Sequence, residues 1–147
     1  MLSTIEKVIH LKSVNIFAQV PDNALASMAA ALDLVEFIPN EQIFQKGDPG
    51  DALYIVVSGS VQIHDGEHTV DTLGERAVFG EMALLDAEPR SASVTAVDDA
   101  LLLRLPSDAF HELVEDHGEI ARGIIHVLSQ RLRARTEDLN ELRASAT

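Results

Sequence analysis

Cysteine and tryptophan are absent from this chain, and aromatic residues of any kind make up only 4% of it. Without cysteine there are no disulfides and no thiolate chemistry, which fits a reducing compartment. With so few rings, the core must be built mainly from Leu, Ile, Val and Ala, and a base-stacking nucleic-acid surface is not expected. Basic residues are scarce too: 11 Lys+Arg stand against 24 Asp+Glu, a formal charge of -13. Such a field repels polyanions, so no nucleic acid is expected as a direct partner. Long apolar runs are missing. Nothing approaches the roughly 18 to 20 residues of a membrane span, and residues 1–12 lack the long apolar core of a signal peptide. The expectation is a cytoplasmic protein with no direct membrane insertion. A nucleophile elbow, a metalloprotease helix motif and a phosphate loop ending in Gly-Lys-Ser/Thr are also missing, and no enzymatic activity is expected.

What is present is 147 residues, 46% of them hydrophobic and 24% charged, enough to bury a real core as a single domain. The chain changes period twice. Ser3 is placed to cap a helix running to Lys12, and Asp22 to cap a second through Ala24 to Leu32, giving a helical start over 1–33. Short alternating runs follow: 35–38, 42–44, 53–57, 60–64, 69–73, 77–79, 91–97 and 100–105, broken by turn residues every eight to twelve positions. Asp65-Gly66 marks a hairpin between two of them. This spacing predicts antiparallel sheets closed into a sandwich or barrel over 34–105. Past Pro106 the helical period returns over 107–143, with Ser107 as cap and a break at Gly118. The last helix is the longest. Its residues Ala121, Ile125, Leu128, Leu132, Arg135, Leu139 and Leu142 step by 4 and 3, a heptad seam interrupted once by Arg135.

The most informative stretch is Phe-Gly-Glu-Met-Ala-Leu-Leu-Asp-Ala-Glu-Pro-Arg-Ser-Ala-Ser-Val-Thr-Ala, residues 79–96. Gly80 lets backbone come close to a ligand. Glu81 can accept from a ribose hydroxyl, and Arg90 can meet a phosphate with its planar fork of donors. Met82, Ala83, Leu84 and Leu85 suit one helical turn whose free amides point at an anion. Together these residues can hold a sugar phosphate.

The helical start, the eight short strands, the two closing helices and the 79–96 stretch resemble the cyclic nucleotide-binding domain family, of the catabolite activator protein and cAMP-dependent kinase regulatory subunit type. A second signature agrees: residues 43–59, Ile-Phe-Gln-Lys-Gly-Asp-Pro-Gly-Asp-Ala-Leu-Tyr-Ile-Val-Val-Ser-Gly, carry the family's glycines and apolar run in order. The resemblance implies a mainly β fold, an eight-stranded antiparallel jelly-roll (a double-stranded β-helix) with N-terminal helices and two C-terminal helices. It implies a sensor for cAMP, ahead of cGMP, that relays occupancy through the terminal helices and needs no cofactor. The implied ligand contacts are Glu81 with the ribose 2′-hydroxyl, Arg90 with the exocyclic phosphate oxygens, backbone amides of Gly80 and Ala83 beside Met82, and Ser91 and Ala92 flanking the phosphate within a cassette over 79–92. Ser93 and the terminal helix approach the base, and Thr136 falls where the catabolite activator protein has a serine reaching the neighbouring subunit's base. The residue at Ser91 is often alanine in cAMP-selective kinase sites and threonine in cGMP-selective ones, and serine accompanies cAMP in the catabolite activator protein.

Plainer readings stand beside these. Glu81 and Arg90 also suit an ion pair at a strand end. Gly47, Gly50 and Gly59 read as turn formers needing positive backbone angles. His64 and His68 flank a turn without an evident third metal ligand, so metal: none is the expectation. The heptad seam either packs Ile125, Leu128 and Leu132 on the protein's own barrel or joins two copies as a homodimer. The helix-turn-helix module of the catabolite activator family is not expected in this chain, and the expectation is a stand-alone regulator or the regulatory part of a transporter, channel or enzyme. The rival classes are a ligand-blind jelly-roll dimerisation scaffold and a cupin-like metal enzyme.

Overall fold

The computed structural model describes residues 2–86 and 88–146. Helix α1, Thr4–Lys12, is fixed by its first turn: Glu6 N–H donates to Ser3 Oγ at 3.1 Å while Ser3 N–H donates to the Glu6 carboxylate at 3.4 Å, a closed capping box. A 3-10 turn that the sequence reading did not contain follows at Asn15–Phe17, burying Ile16 and Phe17. In α2, Asp22–Ala29, the cap position belongs to Pro21. Asp22 is therefore the first helical residue and not the cap, because proline pre-sets the entry angle and Asp22 turns to Lys12 at 2.7 Å. The helix ends at Ala29, short of the expected Leu32.

Among the described residues, eight strands form two four-stranded antiparallel sheets, a jelly-roll: β1 (Asp33–Phe37), β8 (Ala100–Pro106), β3 (Ala52–Ser58) and β6 (Val78–Phe79) in one, and β2 (Gln42–Phe44), β7 (Ser93–Ala96), β4 (Val61–Asp65) and β5 (His68–Leu73) in the other. The β4–β5 hairpin pairs Asp65 with His68, so its loop is Gly66-Glu67, one residue later than expected. Gly66 alone has positive φ (+60°) there, the signature of a type II′ turn with glycine first.

Strands β3 and β8 explain why the apolar run is nearly unbroken. Their side chains alternate between two cores. Ala52, Tyr54, Val56, Ala100 and Leu102 fill the inside of the roll with Val61, Phe79, Val94 and Ala96. Leu53, Ile55, Leu103 and Leu105 face the other way, into a core shared with Leu11, Phe17, Leu25, Met28, Phe110, Ile120 and Ile124 of the helices.

Helix α4 is Ser107–Asp116, and Ser107 is its first residue with Pro106 in the cap position, another case in which proline displaces the expected cap. The break before α5, Gly118–Ala146, falls at His117, whose φ of -130° and ψ of 82° leave the helical region. Helix α5 buries Ile120, Ile124 and Val127. Its heptad seam points elsewhere: Ile125 is 61% exposed, Leu132 69% and Leu142 67%. The reading in which Ile125, Leu128 and Leu132 pack on the protein's own barrel is thus overturned, since the stripe at 120, 124 and 127 takes that contact.

Candidate functional site

Between β6 and β7 the chain leaves the sheets, and Gly80 makes the exit possible. Its φ is +77°, and a Cβ there would stand 2.6 Å from Arg90 Nη1 and 2.9 Å from Ala52 O. Glu81 then opens the four-residue helix α3, Met82–Leu85. Phe79 anchors the segment in the roll interior and Leu84 in the helical core, so both cores meet here. Ala83 N–H turns back to Gly80 O (3.1 Å) and Leu84 N–H to Glu81 O (3.2 Å). Among the described residues, the N–H groups of Glu81 and Met82 have no acceptor.

Arg90 is the unusual residue of the molecule. It is 8% exposed, in a protein whose other basic side chains lie nearer the surface. Its guanidinium lies over the Phe44 ring at 4.1 Å, and Phe44, Tyr54 and Phe79 form one ring cluster with centroids 5.1 to 6.0 Å apart. Nη2 donates to Ala52 O at 2.7 Å and stands 3.8 Å from the exposed carboxylate of Asp51, which also faces Arg104 at 3.7 Å. Among the described residues the buried Nε has no partner. Burial is the main force holding this guanidinium below its ordinary pKa range, with Tyr54, Asp51 and Asp48 pulling it back up and Arg104 opposing them. A buried cation with one hydrogen bond and a free donor is incomplete by the usual accounting for buried charge.

The backbone of this segment is clamped by residues 45–51. Gly47 N–H donates to Arg90 O at 2.9 Å and Arg90 N–H to Asp48 O at 2.8 Å. Gly47 and Gly59 have positive φ (+92° and +82°), as turn formers do. Gly50 does not; it is a residue of close approach, where a Cβ would meet Glu88 O at 2.5 Å and Ala83 Cβ at 3.3 Å. Sequence reasoning missed this role because spacing shows a glycine and not what lies across from it.

These elements enclose a cleft of about 580 Å³. Of the expected residues, Gly80, Glu81, Met82, Ala83, Arg90 and Ser91 line it, together with the apolar Ile63, Leu73 and Val78, which the sequence reading did not name. Asp86 and Glu88 line it as well. Ala92 and Ser93 do not: Ser93 pairs with His64 across β7 and β4, and its Oγ accepts from Lys46 N–H at 2.9 Å. Thr136 is exposed on distal α5 with its hydroxyl donating to Leu132 O. The cassette residue Ala87 lies outside the described residues.

His64 has both ring nitrogens engaged, with Gly66 O and with Thr95 Oγ1, each at 2.8 Å. Among the described residues no three of His, Asp and Glu gather as metal ligands, and no helix is long and apolar enough to cross a membrane.

The family model for the cyclic nucleotide-binding domain matches residues 34–117. A CRP-like cAMP-activated global transcriptional regulator of Mycobacterium tuberculosis is 33% identical over 137 residues, covering 90% of this chain and 61% of that protein. A cAMP-dependent protein kinase regulatory subunit of Emericella nidulans is 36% identical over 106 residues, 71% of this chain and 26% of its own length. The chain therefore spans about three fifths of the first relative and about a quarter of the second. Among solved structures, the N-terminal domain of a transcriptional regulator from Streptomyces coelicolor superposes with a TM-score of 0.79 at 27% identity, over 88% of this chain and 94% of that one.

Proposed function

The chain belongs to the cyclic nucleotide-binding domain family, and we propose that its cleft senses a 3′,5′-cyclic nucleotide, cAMP ahead of cGMP, and reports occupancy through α4 and α5. The observation that carries this reading is the buried Arg90, short of partners and open to the cleft behind Gly80. A phosphate oxygen supplies the acceptors its fork lacks. Glu81 receives the ribose 2′-hydroxyl, Met82, Ala83 and Ser91 close around the sugar phosphate, and the base rests on Ile63, Leu73 and Val78. Charge selects among phosphates. With Glu81, Asp86 and Glu88 on the wall and one guanidinium to offset them, a phosphodiester of single charge costs less to seat than a phosphomonoester or a triphosphate.

The effector is a partner domain or protein, and the exposed seam of α5 favours a homodimer. That same seam favours a second reading, a ligand-blind dimerisation scaffold. Thermal unfolding with cAMP, cGMP and AMP separates the two. A ligand at 100 times its dissociation constant adds about 2.7 kcal/mol, which at this chain length raises the midpoint by roughly 5 to 10 °C. A rise with cAMP or cGMP and none with AMP supports the sensor, and a midpoint indifferent to all three leaves only the scaffold.

A further inference from the structure

We propose that His111 is a positioning residue, a hydrogen-bonded latch by which α3 carries α4 when the cleft segment moves; the inference rests on the sensor reading for what moves α3. Helix α3 is four residues long, too short to supply donors to its own last carbonyls. Asp86 N–H returns to Met82 O at 2.8 Å, but the donor to Leu84 O comes from another element: His111 Nε2 of α4, at 3.1 Å. A carbonyl only accepts, so this nitrogen carries the proton.

The surroundings make the bond matter. Leu84 is 1% exposed, in one core with Phe110, Ile120 and Ile124, and the Phe110 ring meets both Phe17 (6.1 Å) and the His111 imidazole edge-on (5.8 Å). Beside that contact, Leu84, Leu85, Phe110, His111, Val114 and Glu115 line a gap of about 330 Å³ between α3 and α4. Apolar side chains bordering a gap can slide past one another at little cost, whereas a hydrogen bond fixes distance and direction. Among the described residues, the hydrogen bond that ties α3 to α4 is the one made by the imidazole. Nothing in the nucleotide contacts involves it.

The test is amide hydrogen exchange on the full chain, without and with nucleotide, in wild type, His111→Ala and His111→Gln. Glutamine sets an amide N–H where Nε2 stands. Without nucleotide, the Ala83, Leu84 and Asp86 amides are expected to exchange about three- to tenfold faster in His111→Ala, the loss of one ordinary hydrogen bond, and at the wild-type rate in His111→Gln. With saturating cAMP, wild type and His111→Gln are expected to change protection in α4, while His111→Ala binds within about threefold of wild type but loses most of that change. Unaltered α3 exchange in His111→Ala, an undiminished α4 response, or a glutamine variant that behaves like alanine each overturns the latch. Should none of the proteins bind cAMP or cGMP, the sensor reading fails and the nucleotide-free comparison alone decides whether His111 ties α3 to α4.

Discussion

Replacing Arg90 with methionine separates a ligand-seeking cation from a structural one. In the folded protein the guanidinium has three favourable contacts: the 2.7 Å bond to Ala52 O, the 4.1 Å approach to Phe44, and Asp51 at 3.8 Å. The first is a charged hydrogen bond of about 1.5 to 3 kcal/mol. The second is worth about 0.5 to 2 kcal/mol. The third is weak, because Asp51 is 63% exposed and solvent screens it. Against them stands the removal of a full charge from water, an effective cost of several kcal/mol per ion, made worse by the unpartnered Nε. The two sides nearly cancel. Methionine, of similar length and apolar, should then leave unfolding free energy within about 1 to 2 kcal/mol of wild type in urea titrations. Binding has no such cancellation. Losing a charge-assisted contact to phosphate costs at least about 1.5 to 3 kcal/mol, so calorimetry should show cAMP affinity reduced roughly 10- to 150-fold. The opposite pattern, affinity kept and stability lowered by more than about 3 kcal/mol, would make Arg90 half of a structural ion pair and refute the reasoning.

Four further outcomes follow from the same geometry. Glu81→Gln should weaken cAMP by about tenfold yet leave 2′-deoxy-cAMP within about twofold, and equal losses for both ligands would remove Glu81 from the ribose. Gly50→Ala forces a Cβ against Glu88 O and should cost about 1 to 3 kcal/mol in stability together with affinity, whereas Gly74→Ala, where a Cβ meets nothing within 4 Å, should change stability by under about 0.5 kcal/mol in the same melts. Leu128→Glu with Leu132→Glu should convert a dimer to a monomer in sedimentation while the midpoint of the isolated subunit barely moves; a wild type that is monomeric at every concentration removes the seam interface. Burial, with Arg76 nearby and Glu6 opposing, holds His10 below its ordinary pKa, so the unfolded chain takes up the proton more readily; stability is full above about pH 6.5 and declines as pH falls through that value, and His10→Gln should flatten this slope between about pH 7 and 5.5.

Local patterning was enough to place the strands, the main helices and the composition of the cassette. Alternation of apolar residues is a local property, and so is a glycine, a carboxylate and an arginine in fixed order, so neither needed knowledge of distant neighbours. Where proline overrode a serine or aspartate cap, at Pro21 and Pro106, the element survived and only its boundary shifted. Periodicity gave one apolar stripe on α5, the heptad seam, and passed over the residues at 120, 124 and 127. Tertiary structure chose 120, 124 and 127 for the core and left 125, 128 and 132 outside, because burial depends on which stripe faces the roll. The same limit hid the Phe44, Tyr54 and Phe79 rings around the Arg90 site, the carbonyl opposite Gly50 and the bond from His111 to Leu84. Each joins residues from separate strands, loops or helices. A sequence records what a side chain can bind, and only the folded chain decides which partner stands within reach.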